Sequence, residues 1–159
     1  LGYTLAYTKR KFDNINEGRI FPARYDRRHD LSLVVTYDLT KKWVFGGNFV
    51  YGTGQAITMQ EGRYFIEGNL VNIYGDRNSF RMPPYHRLDL SITYTRKPEN
   101  KKFQSNWVFS VYNVYNRANP YLIYLDVSGD PTGTEGITVG AKQLYIFPIL
   151  PSVTWNFKF

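Results

Sequence analysis

The sequence predicts an all-β chain, and more narrowly part of a transmembrane antiparallel β-barrel. Three observations predict it. Apolar and polar residues alternate with period two along six stretches, while helical periodicity is nearly absent. The connections between those stretches are alternately very short and very long. Aromatic residues make up 18 % of the chain, with 14 Tyr and 11 Phe, and many crowd one end of the expected strands.

Taken in order, residues 2–9 place Tyr3, Leu5 and Tyr7 on one face. In 31–39 the apolar face is Leu31, Leu33, Val35, Tyr37 and Leu39, opposed by Ser32, Val34, Thr36 and Asp38. In 43–51 it is Trp43, Phe45, Phe49 and Tyr51, and in 87–95 it is Leu88, Leu90, Ile92 and Tyr94. The run 105–116, "SNWVFSVYNVYN", is the least regular, alternating through Trp107, Phe109 and Val111 before both faces become mixed. The final strand sets Val153, Trp155, Phe157 and Phe159 against Ser152, Thr154, Asn156 and Lys158. Alternation of this kind puts one residue set on each face of a strand.

Residues 40–42 form one short connection, and about six residues around Pro98-Glu99-Asn100 (97–102) form the other. The remaining connections, 14–27, 53–84 and 117–146, are long. Three long loops at one end of a sheet are unusual in a compact soluble domain. Short turns on one side and long loops on the other characterise outer-membrane barrels, whose strands turn one face to lipid and the other to a polar lumen. Here the opposing face is polar and small. Trp43, Tyr94, Trp107, Trp155, Phe157 and Phe159 then form an aromatic girdle at headgroup depth. This reading places the short turns together at one end. It also leaves Leu31, Leu33, Val35, Phe45, Phe49, Leu90 and Ile92 uncovered by protein.

The net charge of +7 suits anionic surroundings. Segment 9–28 carries Lys9, Arg10, Lys11, Arg19, Arg24, Arg27 and Arg28 against Asp13, Glu17 and Asp26. Its plain reading is a solvated loop or one that meets lipopolysaccharide phosphates; a sharper one is capture of an anionic nutrient. Nucleic acid is not expected as a partner, because the aromatics lie opposite the polar face and the basic residues cluster at strand ends. No cofactor, metal site or catalytic residue is expected. There is no cysteine, and His29 and His86 lack the partners that a metal or a nucleophile needs. A hydrolase built on His86 and Ser79 has no nucleophile turn to support it; an interfacial or hydrogen-bonded role is expected for both histidines. Gly52-Thr53-Gly54 precedes no helix that would make it a phosphate cradle, and a flexible exit into the long loop is expected. Tyr64-Phe65 and the tyrosines of 121–124 are expected to extend strands above the membrane, or else to stack on a ligand.

One phrase occurs twice, 59 positions apart: Arg28-His29-Asp30-Leu31-Ser32 and Arg87-Leu88-Asp89-Leu90-Ser91. Each marks a strand re-entering the membrane from a long loop. Arg28, Asp30, Arg87 and Asp89 are expected to face the lumen, along a ligand path, with each Arg able to pair with the Asp two positions on.

The phrases "FPARYDRRHDLSL", "NFVYGTGQAIT", "YHRLDLSITY", "FSVYNVYNRANPY" and "FPILPSVTWNFKF" resemble, in this order, the C-terminal strands of Bacteroidetes-type TonB-dependent outer-membrane receptors. The resemblance covers nearly the whole chain. It implies a 22-stranded barrel with a plug, importing a scarce nutrient such as a siderophore, glycan or peptide with energy delivered by TonB. Residues 1–159 are then about the last six strands, with plug and earlier strands absent. The opening on a strand, with no signal peptide, fits a fragment. The partners implied are outer-membrane lipid and lipopolysaccharide, TonB through the absent plug, and the assembly machinery, which reads Val153, Trp155, Phe157 and Phe159 at the terminus. The phrases are less like the branch that works with a surface glycan-binding lipoprotein. Two other readings stand beside this one: a structural barrel subunit of a larger outer-membrane complex, and a soluble glycan-binding β-sandwich.

Overall fold

A computed structural model of the chain describes residues 1–67, 69–96, 103–128 and 138–159. Its strands in chain order are β1 (Gly2–Leu5), β2 (Lys9–Arg10), β3 (Phe21–Pro22), β4 (His29–Thr40), β5 (Trp43–Gly52), β6 (Ala56–Ile57) and β7 (Gln60–Ile66). They continue with β8 (Asn69–Tyr74), β9 (Phe80–Arg81), β10 (Tyr85–Arg96), β11 (Gln104–Tyr112), β12 (Leu122–Ser128), β13 (Thr138–Leu144) and β14 (Leu150–Lys158). The fold is all-β and antiparallel.

Six strands form the main sheet in the order β1-β4-β5-β10-β11-β14, a meander in sequence order. The sheet is open: β1 and β14 are its edges, so no closed barrel is formed by these residues. Register aligns the alternating faces across it. Tyr37 pairs with Phe45, Phe45 with Ile92, Ile92 with Phe109 and Phe109 with Val153, one apolar row over five strands. A slip of one residue in any pair would move that strand's apolar set to the polar face.

The turn at 40–42 is tight because the Thr40 hydroxyl accepts from the amides of Lys42 and Trp43, both at 3.2 Å. The turn expected at 97–102 lies outside the described residues, but Arg96 opposite Ser105 brings its flanks to the same end of the sheet. The opposite end carries the long segments, which are built rather than loose. β2 pairs with β3, β6 with β9, β7 with β8 and β12 with β13. Tyr64 therefore lies in a hairpin strand, as does Tyr124; residues 129–137, in the middle of the last long segment, are outside the description.

Two strands are shorter than the sequence predicts. The first stops at Leu5, and β11 stops at Tyr112, because Asn113 takes a left-handed conformation (φ 54°) that a strand cannot continue through. Among the described residues the buried apolar side chains are Phe21, Ala23, Ala56 and Met82, all at the long-loop end. None of Leu31, Leu33, Val35, Phe45, Phe49, Leu90 and Ile92 is buried, and among the described residues no second sheet covers them.

Candidate functional site

The polar groups that combine at the long-loop end belong to the junctions where loops become strands. The most buried charged group is Asp26, at 4 % exposure. Its carboxylate accepts the Thr8 amide at 2.7 Å and the Arg81 guanidinium at 2.6 Å. Arg81 also donates to the carbonyls of Asp26 and Gly54. Burial by itself would raise the Asp26 carboxyl; the Thr8 amide and the Arg81 guanidinium outweigh it and hold the group below its ordinary range. This pair ties the segment before β4 to β9. Gly54 belongs to the same knot. A Cβ there would stand 1.7 Å from the Met82 carbonyl oxygen, so the glycine permits a close backbone approach. Gly54 is buried, and the flexible exit expected of Gly52-Thr53-Gly54 is instead a packed crossing.

The second Arg-x-Asp phrase forms its own node. Arg87 Nε donates to Asp89 at 2.9 Å, and Nη1 donates to the hydroxyls of Tyr85 at 2.8 Å and Tyr112 at 2.5 Å. The guanidinium carbon lies 4.0 Å from the Tyr112 ring centroid. The other Asp89 oxygen accepts the Asn113 amide at 3.0 Å. Asn113, at 0 % exposure, donates to the carbonyls of Arg117 and Phe147 and accepts from the Arg117 amide. Asn116 and Asn119 extend this lock: Asn116 accepts from the Ile149 amide, and Asn119 bridges both backbone groups of His86. The sequence reading did not single out these asparagines. Their signal was an Asn at every third position, 113, 116 and 119, where alternation fails.

The first phrase does not repeat that geometry. Arg28 lies over the Tyr7 ring at 5.7 Å, and Asp30 pairs with Arg27 at 3.7 Å. The expected Arg28–Asp30 pair is therefore replaced by Arg27–Asp30. Nor are the two phrases level. Asp30 pairs with Gly52 and Gly52 with Tyr85, four positions before Asp89. The four residues do not form one constellation.

Both histidines lie on the apolar face and meet tyrosine hydroxyls: His29 Nδ1 with Tyr3 and His86 Nδ1 with Tyr115, each at 2.8 Å. His86 also stacks near Tyr51 at 6.4 Å. At the short-turn end of the same face, Trp43 pairs with Tyr94, Tyr94 with Trp107 and Trp107 with Trp155. Trp155, Phe157 and Phe159 continue this row in ring contact, and Phe159 reaches Phe103 at 6.1 Å. Ser79 is not a partner of His86, and no cluster of three metal-ligating side chains occurs among the described residues. No protein-family model, curated protein or solved structure matches this chain.

Proposed function

We propose that this chain is the C-terminal, membrane-spanning part of a TonB-dependent outer-membrane receptor, one that imports a scarce nutrient through a barrel closed by further strands. The observation that carries the membrane assignment is an uncovered apolar band between two aromatic belts. One belt runs through Trp43, Tyr94, Trp107 and Trp155; the other holds Tyr51, His86 and His29. Along β5 the belts are eight residues apart, from Trp43 to Tyr51, and along β10 again eight, from His86 to Tyr94. Eight residues at about 3.4 Å each, tilted by about 40° as in such barrels, rise about 20 Å. That is near the roughly 25 Å band of an outer-membrane barrel.

Two further observations support this reading. An open sheet in hydrocarbon leaves the edge groups of β1 and β14 unpaired, at several kcal/mol per group, so closure by additional strands is required there. The four-residue offset between the two Arg-x-Asp phrases is about 14 Å along the strand. Tilted neighbours about 4.8 Å apart account for about 8 Å of it over two strand steps at that tilt. The receptor assignment itself rests on the resemblance of the five phrases. In this scheme the protein makes no bonds: loops and lumen capture the solute, and TonB acts on the plug to open a path. Among the described residues a sandwich reading has no second sheet to cover the apolar face.

The test is extraction. The full-length protein should sediment with outer membranes after an alkaline carbonate wash and dissolve only in detergent. Release into the wash supernatant as a folded, detergent-free protein would overturn the membrane assignment. Uptake of the native solute that persists without TonB would overturn the receptor assignment.

A further inference from the structure

Four loop-to-strand junctions converge at the long-loop end around a cleft of about 500 Å³. Arg24 and Arg27 come from the segment before β4, Gln55 follows β5, Tyr85 opens β10, and Pro120 and Tyr121 precede β12. The volume falls within the roughly 300–1,000 Å³ of small-molecule pockets. None of the lining residues is acidic.

The two lining arginines differ from Arg81 and Arg87, which anchor the two buried nodes. Arg81 and Arg87 have carboxylates at 2.6 and 2.9 Å and further acceptors besides. Arg24 has no carboxylate within 4 Å among the described residues and lies 5.8 Å from the Tyr25 ring centroid. Arg27 has only Asp30, at 3.7 Å, well beyond the roughly 2.8 Å of a charge-assisted hydrogen bond. Position 52 leaves room for it: a Cβ there would stand 3.1 Å from Arg27 Nη1. Two guanidinium groups with donors to give thus border a cleft that the rings of Tyr85 and Tyr121 line together with Gln55, Met82 and Leu122.

Resting on the barrel reading, we propose that this cleft binds a soluble anionic solute. Its carboxylate or phosphate is held by Arg24 and Arg27, and its flat body lies against Tyr121 and Pro120. Arginine suits this role because its planar fork grips such anions with two parallel bonds. Lipopolysaccharide phosphates share the chemistry, but the cleft borders the polar face of the sheet, where Gly52 and Tyr85 lie, whereas lipid would cover the other face.

Equilibrium dialysis of the intact detergent-purified protein tests this with 1-naphthyl phosphate as probe and 1-naphthol as its uncharged counterpart. The phosphate should bind, and Arg24→Gln/Arg27→Gln should weaken it at least tenfold while leaving naphthol unchanged. Lys41→Gln/Lys42→Gln removes the same charge at the short-turn end and should leave both unchanged. Equal loss in the two double variants, or no loss in either, would overturn the site. Displacement of the probe by added lipopolysaccharide would overturn the soluble ligand in favour of lipid. Carbonate-wash retention of the same variants reports the barrel independently, so failure of one reading is distinguishable from failure of the other.

Discussion

At the scale of single residues, Asp26 and Gly54 hold the long segments together. Asp26→Asn keeps an acceptor for the Thr8 amide but leaves the Arg81 guanidinium without its counter-charge. Removing one partner of a fully buried pair costs about 3–5 kcal/mol. Arg81 keeps 26 % exposure, so about 2–3 kcal/mol is expected, the upper part of the range for a hydrogen bond to a charged group. Hydrogen exchange reads this locally: the amides of Thr8, Ala23 and Asp26, bonded in series, should exchange roughly 30- to 150-fold faster. Unchanged exchange would show that the pair contributes nothing. The pH dependence follows from the lowered Asp26 value. A carboxyl whose folded pKa lies below its unfolded value, about 3.9, contributes fully above that value. The contribution is lost as pH falls through the folded value. Protection of these amides should thus hold at neutral pH and decline only in acid, below about pH 4. Gly54→Ala should disturb the same amides by driving a methyl group into the Met82 carbonyl, and normal protection in that variant would contradict the close crossing.

At the scale of elements, depth in the bilayer sets what a charge on the apolar face costs. On β4 the outward set runs His29, Leu31, Leu33, Val35, Tyr37, and on β10 it runs His86, Leu88, Leu90, Ile92, Tyr94. Leu33 and Leu90 are the midpoints. Leu33→Arg and Leu90→Arg should each cost about 2–4 kcal/mol, and Ile92→Arg, nearer the Trp43–Tyr94 belt, less. Denaturant unfolding in lipid vesicles measures the order. Equal costs at the three positions would contradict a midplane between the belts. The alternation that defines these strands was legible in the sequence because period two needs no tertiary information. The early end of β11 was not, because it depends on where Asn113 finds its hydrogen-bond partners, Phe147 among them.

At the scale of the whole molecule, the apolar terminus has a position and, under the proposed function, a use. Gln104 opposite Lys158 sets Phe159 at the same end of the sheet as the 40–42 turn. Deleting Phe159 from the full-length protein should lower its outer-membrane level, read by blotting membrane fractions, while the surviving molecules bind ligand normally. Unchanged abundance would remove the assembly role.

What the sequence by itself determined is the class of fold, the faces of its strands and which connections are short. Each follows from local pattern: side chains alternate across a strand, and chain length between patterned stretches is read directly. Only the tertiary structure decided who pairs with whom at the strand mouths. The two Arg-x-Asp phrases are nearly identical as text. Yet Asp89 has Arg87 and Asn113 beside it, while Asp30 has Arg27. The difference comes from register, which carries the second phrase four positions deeper beside β11, whereas the first lies at the sheet's end. Register sums pairings over several strands, and no stretch of one strand contains it.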